Sequence, residues 1–162
     1  MANFIQIKQL LEKEGLKFKA INLPSAAFTV EDVVRLSGGE VNPQEIVKTL
    51  IVKTKSGQFV ACVLKGKDRL DKKKLAFYRL ATSKEVLQIA QVEVGAVCPI
   101  LIGIPIIIDE KVRSQKRVNM GSGDLHKGLE LHLADLLTLL PNHRFQHLAE
   151  SSTDAMLTDR LW

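Results

Sequence analysis

The feature that most limits how this chain can fold is a β-hairpin written into residues 49–64. Thr49–Thr54 is a β-branched, apolar run, Lys55-Ser56-Gly57-Gln58 supplies a turn, and Phe59–Leu64 is the returning arm. A hairpin demands antiparallel pairing, so the chain is not all-helical. The segments around it also fail to alternate strand with helix strictly enough for a doubly wound parallel sheet. No G-x-G-x-x-G follows a strand and no Walker phosphate loop occurs, which disfavours a Rossmann or P-loop reading. The expectation is α+β: a single domain with a mixed, largely antiparallel sheet flanked by helices.

Phe4, Ile7, Leu10 and Leu11 at helical spacing predict an amphipathic helix over residues 3–14, closed by Gly15. Lys17–Leu23 reads as a short strand and Thr29 as the cap of a helix through Leu36. Asn42-Pro43-Gln44-Glu45 reads as the start of a brief helix leading into Ile46, Val47 and Lys48. Leu70, Lys72–Lys74, Leu75 and Phe77 suggest a basic amphipathic helix, and Ser83–Gln91 another with Ser83 as its cap. Val94–Pro105 is apolar but interrupted by glycine and proline, the mark of backbone shaped for a bend or a close approach. Ile106–Ile108 should be a central strand buried on both faces. Lys111–Lys116 reads as a polar helix or turn, and Val118–Met120 and Leu129–Leu133 as strands flanking a glycine-containing loop, Gly121–Gly128. A last helix runs from Ala134 toward Pro141. Periodicity is weak beyond that proline. The expected organisation is therefore one domain over residues 1–140 and a tail, 141–162, that packs loosely or helps a neighbouring subunit.

A length of 162 residues with 46% hydrophobic side chains is enough for a core without metal or disulfide staples. Cys62 and Cys98 match no metal-ligand or redox spacing and read as reduced, buried thiols of an intracellular protein. No N-terminal stretch has the layout of a secretory signal, and the apolar run Ala96–Asp109 is too short and interrupted to span a bilayer. A cytoplasmic protein with no membrane partner is expected. His143 and His147 stand four apart without a third ligand of recognised spacing, and His126 and His132 lie in no motif that fixes them as bases, so no metal site is expected. The formal charge of +5 permits a polyanionic partner, and six cations, Lys65, Lys67, Arg69, Lys72, Lys73 and Lys74, crowd into ten residues. Such a run is usually a solvated face.

Five short segments occur in a suggestive order: Glu45-Ile46-Val47-Lys48-Thr49-Leu50-Ile51-Val52, Lys65-Gly66-Lys67-Asp68-Arg69-Leu70-Asp71, Gly95-Ala96-Val97-Cys98-Pro99, Ile108-Asp109-Glu110, and Gly121-Ser122-Gly123 with Gly128-Leu129-Glu130-Leu131. The ordered set resembles the YbaK/prolyl-tRNA-synthetase-associated editing family over roughly residues 3–140. That resemblance implies a free-standing deacylase hydrolysing the ester of mischarged tRNA, of prolyl type and carrying alanine, cysteine or another small amino acid. It implies no metal and no cofactor, with the substrate's own ribose hydroxyl and a positioned water doing the chemistry. The implied partners are the aminoacyl-tRNA acceptor end and an aminoacyl-tRNA synthetase. Carried over by motif, Lys48, Gly95 and Pro99 are the catalytic candidates. Phe28, Thr49, Arg69, Ala96, Val97, Cys98, Gly121, Ser122, Gly123 and Glu130 are the substrate-binding ones. Ala96 stands where members commonly have a second glycine, and Asp124–Lys127 lengthens the glycine loop relative to some members.

The residues themselves allow these roles alongside plainer ones. Lys48 precedes a β-branched run, where its stem can lie on apolar surface with the ammonium in a cleft. It can act electrostatically, but as a base only if its pKa is lowered; otherwise it is an ordinary cation at a helix end. The Gly95–Pro99 loop can offer N–H groups to an oxyanion or be simply a tight turn. Ser122 can donate to substrate, and Glu130 can be a solvated residue of an alternating strand. A non-catalytic tRNA- or synthetase-binding module of the same fold is the alternative reading.

Overall fold

The structure, a computed structural model, describes residues 3–74 and 77–150. The chain opens with α1 (Phe4–Lys13), where the Asn3 side chain accepts from the Gln6 amide and Ile7 and Leu11 are buried. Gly15, at φ +67°, turns it into β1 (Phe18–Asn22). Thr29 caps α2 (Val30–Leu36) by accepting from the Asp32 amide. Asn42-Pro43 starts only a single 3-10 turn, Pro43–Glu45, and the backbone is already extended at Ile46. The β-branched residues that follow enter β2 (Val47–Thr54) instead of prolonging a helix, so Lys48 sits inside a strand.

β3 (Phe59–Lys65) returns antiparallel along β2, with Val47 opposite Lys65 and Lys53 opposite Phe59. β4 (Phe77–Leu80) leads to α3 (Ser83–Ala90), and β5 (Ile106–Asp109) follows the long glycine-interrupted connection. β6 (Arg117–Gly121) and β7 (Lys127–His132) pair antiparallel, and α4 (Leu133–Thr138) leads to β8 (His143–Gln146). The strands build a five-stranded sheet, β4-β2-β3-β5-β8, and a three-stranded one, β1-β7-β6. β5 lies parallel to β3 and to β8, and the other strand-to-strand ladders are antiparallel. The result is the expected α+β domain with mixed, largely antiparallel sheets.

Strand alternation divides the interior. Val47, Ile51, Ala61, Val63, Ile106 and Ile108 face the main core, which α1, α3, α4 and the smaller sheet close. Leu50, Val52, Cys62, Leu64 and Ile107 point the other way, where Leu148, Leu70 and Leu80 cover them. The two sheets meet at one parallel bridge, Ile46 to Asn119.

Two segments depart from expectation. Leu70–Lys74 carries no helix among the described residues: Leu70 bridges antiparallel to Ala149, and the Asp71 carboxylate and carbonyl hold a turn through the Lys73 and Lys74 amides. Leu75, expected in the same helix, lies outside the described residues. Beyond Pro141, where loose packing is expected, residues 143–146 form β8 and Leu148 is fully buried. The buried Asp109 carboxylate fixes this closing segment by accepting from the Leu148 and Ala149 amides at 2.7 and 3.1 Å. Bonds to a carboxylate are roughly twice as strong as neutral ones, which is why a weakly periodic segment stays in place. Residues 151–154 of the expected polar cluster lie outside the described residues.

Candidate functional site

Where the two sheets meet, the seam does not close completely. Val47 of β2, Asn119 and Gly121 of β6, Ala27, Leu125 and Gly95 wall a partly open, mainly apolar cavity. Its free volume is about 20 Å³, enough for about one water molecule and hence for a methyl-sized group. The loop between β6 and β7 forms one side, held by Leu23 N donating to the His126 carbonyl and Ala27 N to the Leu125 carbonyl, at 2.8 and 2.9 Å.

Of the three glycines in the wall, Gly95 and Gly121 are required by space, whereas a Cβ on Gly128 would meet Ile21 at an ordinary 3.4 Å. Gly95 adopts φ +99°, and a Cβ there would come within 3.1 Å of Leu125 and 3.2 Å of the Phe28 Cα. A Cβ on Gly121 would lie 2.5 Å from the Val97 carbonyl oxygen, inside any tolerable contact. β6 therefore presses directly on the Gly95–Pro99 loop, and Gly123 N completes the junction by donating to the Ala96 carbonyl at 2.7 Å. Within that loop the Ala96 amide is spent on the Glu93 carbonyl. No described backbone carbonyl accepts from the Val97 or Cys98 amide. Ala96, Val97, Cys98 and Pro99 are all buried, and Ala96–Cys98 belong to the main core behind the cavity.

The remaining sequence candidates are distributed around this centre. Lys48 is 3% exposed and alternates to the face opposite Val47, the side of Leu50 and Val52, so its side chain is not part of the cavity wall. Thr49 shares Val47's face and is buried, with a hydroxyl that has no hydrogen-bond partner among the described residues. The Phe28 backbone touches the Gly95 position, but its ring, 44% exposed, faces an outer groove shared with Leu87, Glu93 and Val94. Arg69 is exposed on the connection after β3 and its carbonyl accepts from the Glu150 amide. Two expected contacts take another form. The Ser122 hydroxyl, expected to donate to substrate, donates to the Lys127 carbonyl at 2.6 Å and accepts from the Asp124 amide, which makes it the pin of the glycine loop. Glu130 lies outside the cavity wall, 3.4 Å from the Arg117 guanidinium on the smaller sheet.

Asn119 is the residue that sequence reasoning passed over. It is 3% exposed, lines the cavity, and donates from Nδ2 to Glu45 Oε1 at 3.2 Å, leaving Oδ1 buried without a partner among the described residues. A buried carbonyl oxygen lacking a donor is costly, and here it stands at the edge of a space that a ligand's N–H could enter. The available signal was a polar residue between Val118 and Met120, too slight to separate from an ordinary alternating strand.

The thiols offer no nucleophile: burial pushes both Cys62 and Cys98 up to about 12. Among the described residues no three His, Cys, Asp or Glu side chains gather as a metal site, and no helix is long and apolar enough to cross a membrane.

A family model described as the aminoacyl-tRNA editing domain matches residues 24–139. The proline–tRNA ligases of Legionella pneumophila strains Lens and Corby are 27% and 28% identical to the chain over 106 residues, 61% of this chain and 18% of each ligase. The chain thus spans about a fifth of the length of those curated relatives. Among solved structures, hypothetical protein APE2540 aligns with a TM-score of 0.76 at 27% identity, covering 90% of this chain and 99% of that one. A candidate trans-editing enzyme for prolyl tRNA synthetase aligns with a TM-score of 0.74 at 25% identity, covering 93% and 99%.

Proposed function

Because this chain belongs to the aminoacyl-tRNA editing domain family, we propose that it is a deacylase that hydrolyses the ester of a tRNA mischarged with a small amino acid. The observation that carries the reading is the seam cavity of about 20 Å³: its methyl-sized space suits alanine first, is tighter for a thiol, and disfavours a ring the size of proline's. Its one buried unpartnered carbonyl oxygen, Asn119 Oδ1, is suited to the substrate's α-ammonium. Alanine and cysteine on a prolyl-type tRNA are the proposed substrates.

In the proposed reaction a water attacks the ester carbonyl, the C–O bond to the terminal ribose breaks, and the departing ribose oxygen takes up a proton. The neighbouring ribose hydroxyl orients the water, so the protein's task is placement and charge stabilisation. The Val97 and Cys98 amides are suited to the developing oxyanion. Gly95 lets the ester approach the backbone, and Pro99 stiffens the end of the loop. Lys48 acts through its charge, not as a base, and Arg69 with the neighbouring lysines meets the terminal phosphates. The proposed setting is the cytoplasm, with a prolyl-tRNA synthetase as the partner whose errors are cleared.

The test is deacylation of prolyl-type tRNA charged in turn with alanine, cysteine, serine and proline, using the wild-type protein beside Lys48→Met, which keeps an unbranched apolar stem. Hydrolysis of one or more small-side-chain esters, with prolyl-tRNA spared and at least about a hundredfold slower turnover in the variant, supports the reading. Binding of tRNA with no hydrolysis of any ester would leave a binding module of the same fold, and neither activity would remove tRNA from the account.

A further inference from the structure

The fold sets five of the six cations of the run into two groups far apart. Lys65, Lys67 and Arg69 stay at the end of the five-stranded sheet where β2 begins, beside the seam. The chain from Leu70 onward then runs along the sheet, antiparallel to residues 148–150, and delivers Lys73 and Lys74 to the other end, where the β2–β3 hairpin turns. There they meet Arg144, brought by β8 from a distant part of the sequence.

These three cations border an open cleft of about 690 Å³, with Thr54, Ser56 and Gln58 of the hairpin on its floor. All three are exposed, and none forms an ion pair among the described residues. Asp71 is the carboxylate nearest in sequence, and it accepts from the Lys73 backbone amide instead. Three like charges gathered without a counter-charge among the described residues make a local positive potential that attracts an anion. The other lining groups narrow its class. The hydroxyls of Thr54 and Ser56 and the carboxamides of Gln58 and Gln146 can serve ribose 2′-hydroxyls, whereas none of the lining residues is aromatic, so nothing there stacks on an unpaired base.

We propose that this cleft binds the phosphate–ribose backbone of duplex RNA, as a second contact for the acceptor stem whose 3′ end enters the seam. The identity of that RNA as substrate rests on the deacylase reading; the backbone site itself does not. Thr54 stands seven residues along β2 from Val47 of the cavity wall, about 23 Å along a strand, with the two side chains on opposite faces. A stem several base pairs long covers that span, so one RNA can occupy both places.

The variant Lys73→Ala/Lys74→Ala/Arg144→Ala removes the three charges from exposed positions. A control, Lys8→Ala/Lys13→Ala/Lys84→Ala, removes the same net charge from α1 and α3. Binding of uncharged tRNA and of a short RNA duplex is measured against salt, and deacylation is compared between full-length aminoacyl-tRNA and an aminoacylated CCA trinucleotide. The cleft variant is expected to bind duplex RNA at least about tenfold more weakly, with a salt slope smaller by about one for each cation removed. It should lose kcat/KM on full-length substrate but not on the trinucleotide, while the control stays near wild type. Unchanged duplex affinity and slope would overturn the proposal, as would equal tightness for single strands or binding of inorganic phosphate without duplex. If the wild-type protein hydrolyses no ester but the cleft variant alone loses duplex binding, the deacylase reading fails and the backbone site stands.

Discussion

At the scale of single residues, contact distance at Gly121 is the sharpest constraint. A methyl group 2.5 Å from the Val97 carbonyl oxygen meets backbone on both sides, so neither partner can swing away. Gly121→Ala should cost about 1–3 kcal/mol in denaturant unfolding and should reduce deacylation further than that loss accounts for, because it displaces the Gly95–Pro99 loop. Asn119 makes the opposite forecast. Its Oδ1 is already unsatisfied, so Asn119→Leu relieves one buried polar atom while losing only the Nδ2 bond to Glu45, and should cost no more than about 1 kcal/mol while lowering kcat/KM at least about tenfold for an α-ammonium-bearing ester. An unchanged kcat/KM would remove Asn119 from the site. The glycines were legible in the sequence as punctuation within apolar chain, since a glycine there weakens a strand unless a bend or a close backbone approach requires it. Asn119 was not, because a lone polar residue in a short strand gives no sign of which face it takes until the neighbouring sheet is known.

At the scale of elements, α3 is held at its start by charge. Thr82, not Ser83, is the cap: its hydroxyl accepts from the Glu85 amide, while the Glu85 carboxylate accepts from the Thr82 amide and from Arg79 at 2.6 Å. The Arg79 hydrogen bonds, aided by the Thr82 amide, lower Glu85 from 4.5 to about 2. A carboxylate depressed on folding contributes stability above its unfolded pKa and loses it as pH falls through the folded one. The difference in melting temperature between wild type and Glu85→Gln should therefore be full above pH 4.5 and shrink toward pH 2. A second element-level forecast concerns the closing segment: Asp109→Ala should strip hydrogen-exchange protection from the Leu148 and Ala149 amides before that of β2 and β3. The Thr-x-x-Glu spacing made the true cap readable, and the adjacent Ser83 obscured it. The basic helix expected over Leu70–Phe77 failed for a physical reason: helical spacing there is overruled by pairing to residues 148–150, a contact between segments nearly eighty positions apart. For the same reason β8 was invisible, because an edge strand buried on one side only in part carries little alternation.

At the scale of the molecule, the hairpin was enough to establish an α+β class, and the rest of the architecture follows from what covers each face of it. What the sequence could not supply was the seam, which exists because two sheets touch at the Ile46–Asn119 bridge, 73 positions apart in the chain. Burial on both sides of the larger sheet, Cys98 in the main core and Cys62 in the opposite cluster, has a chemical consequence: with both thiols raised to about 12, a disulfide-exchange reagent should label neither cysteine in the native state, and labelling should track unfolding. Finally, the order in which strands emerge matters during synthesis. β5 is a wholly buried Ile-Ile-Ile-Asp segment that needs β8 on its outer edge, and β8 lies 37 residues later. At about 5–20 residues per second the ribosome leaves that isoleucine edge uncovered for about 2–7 s, a window in which two nascent chains could pair by their β5 edges and in which a holdase would have most to protect.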